Sequence, residues 1–178
     1  MAMSKSALQP KSPSEDESYP AKAPSGTGTD LRARQLIEAN INPRTGLATD
    51  YLNHFNEAIM LLEMIPDIPE CADDFLDWRP MSYREHFEAS SFTARELAID
   101  AYDASDPAIR SEFDDIAAAM TSILTTVGDT MRRAEHAGTR AALATQAAGA
   151  VKPLVTLAGS MINGGFCDAE DVDFIMQQ

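Results

Sequence analysis

The segment that begins at Asp106-Pro107 constrains the fold more than any other feature of the chain. Along it Ile109, Phe113, Ile116, Met120, Ile123 and Val127 recur at spacings of 4, 3, 4, 3 and 4. Such a series lines one face of a helix and no face of a strand, so it demands a long helix with an apolar seam. Asp106 reads as the N-cap and Pro107 as the first helical position. The helix is expected to run from about 107 to 136, roughly 45 Å at a rise of 1.5 Å per residue. Gly138 would end it, with Arg132, Arg133 and His136 complementing the negative end of the dipole. The seam can be satisfied within one chain or between two, which leaves a homodimer open.

The neighbouring segments extend the helical pattern. An Ala-rich stretch from Thr139 to about Val151 predicts a helix folding back on the long one as a hairpin, because small side chains permit close approach. Pro153 would clash with the carbonyl of Gly149, so a kink and a clean break both stay open. Asn163-Gly164-Gly165 closes this segment, and Asp168 would cap a last helix to about Met176. Upstream, helices are expected at about 30–40, 49–65, 70–78, 82–90 and 93–104, with a turn at Asn42-Pro43-Arg44-Thr45-Gly46. Leu52, Phe55, Ile59 and Leu62 share one face of the second, which ends at Pro66 and Pro69. Ser82-x-x-Glu85 and Thr93-x-x-Glu96 both match the capping box, with Phe92 and Leu97 as a staple for the latter.

Of 28 alanines, 24 lie beyond residue 29, as do all four valines, and strict apolar/polar alternation never persists. The expected fold is all-α, an irregular helical bundle organised around the long helix and its return hairpin. Residues 1–29 hold six Ser, four Pro and few apolar side chains. Such a composition cannot offset the entropy of ordering, so a disordered tail is expected, followed by a single acidic domain over 30–178.

Charge narrows the function classes. Acids outnumber bases 28 to 14, for a net charge of -14 and a pI near 4.4. Phosphate-gripping contact with nucleic acid or anionic lipid is unfavourable for such a surface. There is no run of some 18 consecutive apolar residues, and the two cysteines, Cys71 and Cys167, fit a reducing compartment. A cytoplasmic protein without membrane attachment is expected. Between Asp67 and Asp115 lie 14 acids and four arginines, so 4 minus 14 leaves -10 in that stretch.

Embedded there are Phe75, Leu76, Trp78, Met81, Tyr83 and Phe87, any of which could serve the core or anchor a partner. The first functional reading is a non-catalytic interaction or regulatory protein whose acidic face, through Asp73, Asp74 and Asp77 with anchors Phe75, Trp78, Met81 and Tyr83, engages a basic protein partner. Arg132, Arg133 and Arg140 would form a separate anion-binding patch. The alternative is a metal-carboxylate bundle enzyme using His54, Glu57, Glu85 and His86, although the Glu-x-x-His pairs usual in such bundles are missing. No cofactor is implied. Asp168-x-Glu170-x-Val172 lacks the third ligand and turn glycine of a calcium loop. A phosphotransfer histidine, or an apolar ligand held near Pro153, has only fold analogy or small residues in its favour.

Overall fold

The computed structural model describes residues 27–165. Residues 1–26 of the expected tail, the helix expected after Asp168 and the Asp168-x-Glu170-x-Val172 segment lie outside the described residues. The fold is all-α, with seven helices among those residues: α1 (Thr27–Glu38), α2 (Leu52–Met64), α3 (Cys71–Asp77), α4 (Tyr83–Ala89), α5 (Arg95–Asp103), α6 (Pro107–Arg133) and α7 (Ala137–Ile162). The first begins three residues before the expected boundary at 30. Asp30 lies inside its first turn, where a carboxylate faces the positive end of the dipole, so the helix extends back past it.

Helix ends follow local chemistry. Asn40 takes a left-handed conformation at φ 56° after α1, and Ile41 N–H donates to the Leu36 carbonyl at 2.8 Å. Gly164, at φ 85°, closes α7 in the same way, with Gly165 N–H donating to Ser160 O at 2.9 Å. Both are the paired hydrogen bonds that satisfy the last free carbonyls. Ser82 and Glu85 form the expected capping box, and the Asp106 carboxylate accepts from Ala108 N–H at 2.8 Å.

Thr93-x-x-Glu96 does not form a box. Phe92 packs on Phe87 with ring centroids 5.3 Å apart, which draws the chain inward, so α5 starts only at Arg95 with Ala94 before it and no side-chain cap. Gly138 is likewise not the end of α6. The helix stops at Arg133, Ala134 and His136 are extended, and Gly138 sits in the first turn of α7.

The α6–α7 hairpin is the spine. Phe113, Ile116, Met120, Leu124, Val127 and Met131 point from α6 into the core, opposite the Ala144, Ala148 and Val151 side of α7. The predicted seam is thus the buried face, although Ile109 and Ile123 are only partly covered. α2 packs on α7, α3 covers α2 and reaches α6, and α4 pairs with α5. The helix continues through Pro153 without a break. Gly149 and Pro153 are both exposed, so the carbonyl deprived of its donor faces water. By length and composition α7 could cross a membrane; in this bundle Ala144, Ala147, Val151, Leu154 and Leu157 are among its buried residues.

The turn after α1 locks the end of α7. Arg44 N–H donates to Asn42 Oδ1 at 2.8 Å, Ile41 and Ala48 form an isolated antiparallel bridge, and the buried Thr45 hydroxyl donates to the Ile162 carbonyl at 2.8 Å. Gly46 is needed there twice over. Its φ is +71°, and a Cβ would lie 2.5 Å from the Ala101 carbonyl oxygen. Gly46→Ala is expected to lower stability by roughly 2 kcal/mol in urea denaturation, from left-handed strain plus overpacking; an unchanged midpoint would show that the turn can shift away from α5.

Candidate functional site

The acidic aromatic stretch folds so that its charges and its rings separate. In α3, Asp73, Asp74 and Asp77 are exposed, and none makes an ion pair among the described residues. Phe75, between them, turns inward and is 2% exposed. Tyr83, at the start of α4, is also 2% exposed, and its hydroxyl accepts from Ala48 N–H at 2.9 Å. Neither can touch a partner in the folded protein, so both are core residues rather than anchors. Met81 is half-buried, and its carbonyl accepts from the Tyr51 hydroxyl at 2.9 Å. Trp78 is half-buried too.

Trp78 covers a histidine that the sequence places on the wrong side. His54 lies off the Leu52, Phe55, Ile59 and Leu62 stripe, which implies solvent exposure, yet it is only 5% exposed. The indole stacks on the imidazole with centroids 4.6 Å apart and planes 23° from parallel, and its Nε1–H donates to the His54 carbonyl at 3.2 Å. The His54 Nε2 is buried without a hydrogen-bond partner. Burial, followed by the neighbouring His86, lowers the His54 pKa from about 6.5 to about 4, against a smaller opposing effect of the Arg79 backbone. His54 is therefore a neutral ring at neutral pH.

The proposed metal set does not converge. His54 and His86 come together, 6.2 Å between ring centroids, but the His86 Nε2 lies 3.3 Å from Asp50 Oδ2. Glu57 is exposed on α2, and Glu85 faces Ser82, whose backbone N–H and hydroxyl donate to its Oε2 at 2.8 and 2.7 Å. Those hydrogen bonds hold the Glu85 carboxyl below its ordinary value. Among the described residues no group of three or more His, Cys, Asp or Glu side chains could hold a metal ion.

No family model, curated protein or solved structure matches the chain. Its chemistry has to be read from the arrangement of its own side chains.

The arginines expected to bind an anion are divided among helix ends. Arg132 donates to Asp129 Oδ1 at 2.8 Å and to the Leu76 carbonyl at 2.9 Å. Arg79 donates to the Leu76 and Trp78 carbonyls, so two guanidinium groups neutralise the negative end of α3. Arg140 donates to Ala134 O at 3.1 Å across the break, and Arg133 is exposed. The break at 134–136 removes the shared face that would have joined 132 to 140. Arg132 and Arg140 are thus engaged at the ends of two different helices, with Arg133 exposed beside the break.

A cleft of about 600 Å³ beside α4 and α6 is lined by Tyr51, Met81, Tyr83, Tyr102 and Asp114. Both Asp114 oxygens accept from the Tyr102 hydroxyl at 2.8 Å, and burial together with that carboxylate pushes the phenol up to about 12. An acid so engaged is poorly placed as a general base. What the sequence reading missed is an apolar series on the outside of α2. Met60, Met64 and Ile68 are 54%, 37% and 45% exposed. Their spacing of four was the available signal, hidden because the inner stripe of the same helix already explained its burial.

Proposed function

We propose that the protein is a non-catalytic interaction protein that presents an acidic helical surface to a basic protein partner, in a reducing, cytoplasmic setting. The observation that carries this reading is the disposition of α3: Asp73, Asp74 and Asp77 all face solvent, while Arg79 and Arg132 beside them are turned to backbone carbonyls. Counting Asp129, which pairs with Arg132, four carboxylates stand against two guanidinium groups, so 2 minus 4 leaves the local balance at -2. Exposed charge of this sort contributes chiefly to the rate of association and to the choice of partner, and apolar contact supplies the affinity.

The test is capture from the native host at rising salt, followed by kinetics of the captured partner on wild type and on the Asp73→Lys, Asp74→Lys, Asp77→Lys variant. Association is expected to slow at least about tenfold, with a flatter salt dependence, while stability stays within about half a kcal/mol because all three are surface positions. An unaltered association rate, or a partner with no basic surface, would sink the proposal.

A further inference from the structure

We propose that the outer face of α2, formed by Met60, Met64 and Ile68, is the seat of a basic amphipathic helix from the partner. This inference rests on the acidic-surface reading and adds the apolar anchor that reading needs, since Phe75 and Tyr83 are buried.

The three side chains form one ridge. Ile68 lies beyond the end of α2, but its N–H donates to the Met64 carbonyl at 2.8 Å, so the chain makes a further helical turn before α3. Met60, Met64 and Ile68 therefore occupy successive turns of one face, spanning roughly 12 Å at 1.5 Å per residue. The opposite face of α2 is filled by Leu52, Phe55, Ile59 and Leu62, all buried. Among the described residues the ridge is only partly covered, with Met60 the most open of the three. Leu31 and Ile37, the other large apolar side chains exposed among the described residues, are six positions apart on α1 and share no such row.

Charge selects the occupant. Glu57, Glu63, Asp67 and Glu70 flank the ridge and are exposed, and among the described residues the one cation paired to them is Lys152, on Glu63. Four acids and one lysine leave -3, and the chain then runs straight into the aspartates of α3. A second copy would set acidic rim against acidic rim, and an anionic lipid surface would be repelled. A helix with an apolar stripe flanked by Lys or Arg satisfies both components. Its ridge can pack beside a row of i, i+4, i+8 side chains, and methionine adapts to the shape it meets.

The probes are three synthetic helical peptides: lysine with a leucine face, glutamate with a leucine face, and lysine with alanine in place of leucine. Binding is read by fluorescence anisotropy and by the methyl signals of Met60 and Met64 in the full-length protein. The lysine–leucine peptide is expected to bind and shift both methyls, and Met60→Ser, Met64→Ser, Ile68→Ser is expected to weaken it at least about tenfold. The other two peptides should bind far more weakly. If the lysine–leucine peptide binds, unshifted at these methyls and unaffected by the serine variant but weakened by reversal of the α3 aspartates, the seat is wrong and the acidic-surface reading survives. If neither lysine peptide binds, both fall. Equal binding of the glutamate–leucine peptide would overturn the basic occupant, and concentration-dependent dimerisation abolished by the serine variant would assign the ridge to a second copy. The methyl shifts are measured on wild type, so a poorly folded variant would not protect the proposal.

Discussion

Trp78→Ala is expected to destabilise the fold by about 3 kcal/mol in urea denaturation followed by far-ultraviolet circular dichroism. The indole is the lid of a stacked cluster: it lies on His54 at 4.6 Å and reaches Phe55 at 6.4 Å between centroids. Its Nε1–H donates to the His54 carbonyl at 3.2 Å. Truncation removes all three contacts and opens a gap between α2 and the chain leaving α3. Trp78→Phe should recover most of the loss, because the stack survives and only one hydrogen bond disappears. Were Trp78 a docking anchor instead, the alanine variant would keep its denaturation midpoint and lose only partner binding. That outcome would remove Trp78 from the core and return the acidic segment to the role of a self-sufficient binding site.

The backbone architecture was legible because it follows from local chemistry. The 4-3-4-3-4 series predicts the buried face of α6, Ser82 with Glu85 forms its reciprocal cap, and Asn163-Gly164-Gly165 ends α7. Each needs only residues within a turn or two of one another. Thr93 and Glu96 satisfy the same local rule and fail, because Phe92 is pulled onto Phe87 by a contact outside the pattern. Pro153 shows the reverse. A residue that ordinarily breaks helices is tolerated because it meets a glycine carbonyl on the wet side of α7.

The site was less legible for the same physical reason. Periodicity assigns a side chain to a face of its own helix, but whether that face is covered depends on what folds over it. His54 sits off the apolar stripe of α2 and is buried all the same, since the chain after α3 lays Trp78 across it. Arg132 and Arg140 align on paper at a spacing of eight, but an extended link separates their helices. Met60 and Met64 share a helical spacing, but no local signal distinguishes an uncovered apolar row from a covered one.

His54 also sets an expectation for the response to acid. Its pKa is about 4 in the folded protein against about 6.5 for an unperturbed imidazole. Between those values the unfolded chain takes up a proton that the folded protein excludes. The stabilisation linked to this ring is therefore complete above about pH 6.5 and is lost as pH falls toward 4, up to about 3 kcal/mol in all. His54→Phe keeps a ring on Trp78 and removes the orphaned nitrogen. The variant is expected to match or exceed wild type near neutral pH and to outlast it increasingly below about pH 6, measured as the difference between their urea midpoints. Carboxylates titrate in both proteins, so the difference isolates His54. The chain holds a single tryptophan, and an imidazolium stacked on it should quench its emission with a midpoint near 4 in wild type and not in the variant. Parallel stability curves would show that the buried ring finds a partner for its proton in the folded state, and an emission change that persists in His54→Phe would trace the quenching to a group other than His54. Trp78→Ala provides the cross-check: with its lid removed, His54 regains water, its pKa should rise toward 6.5, and the acid-linked part of the stability should shrink.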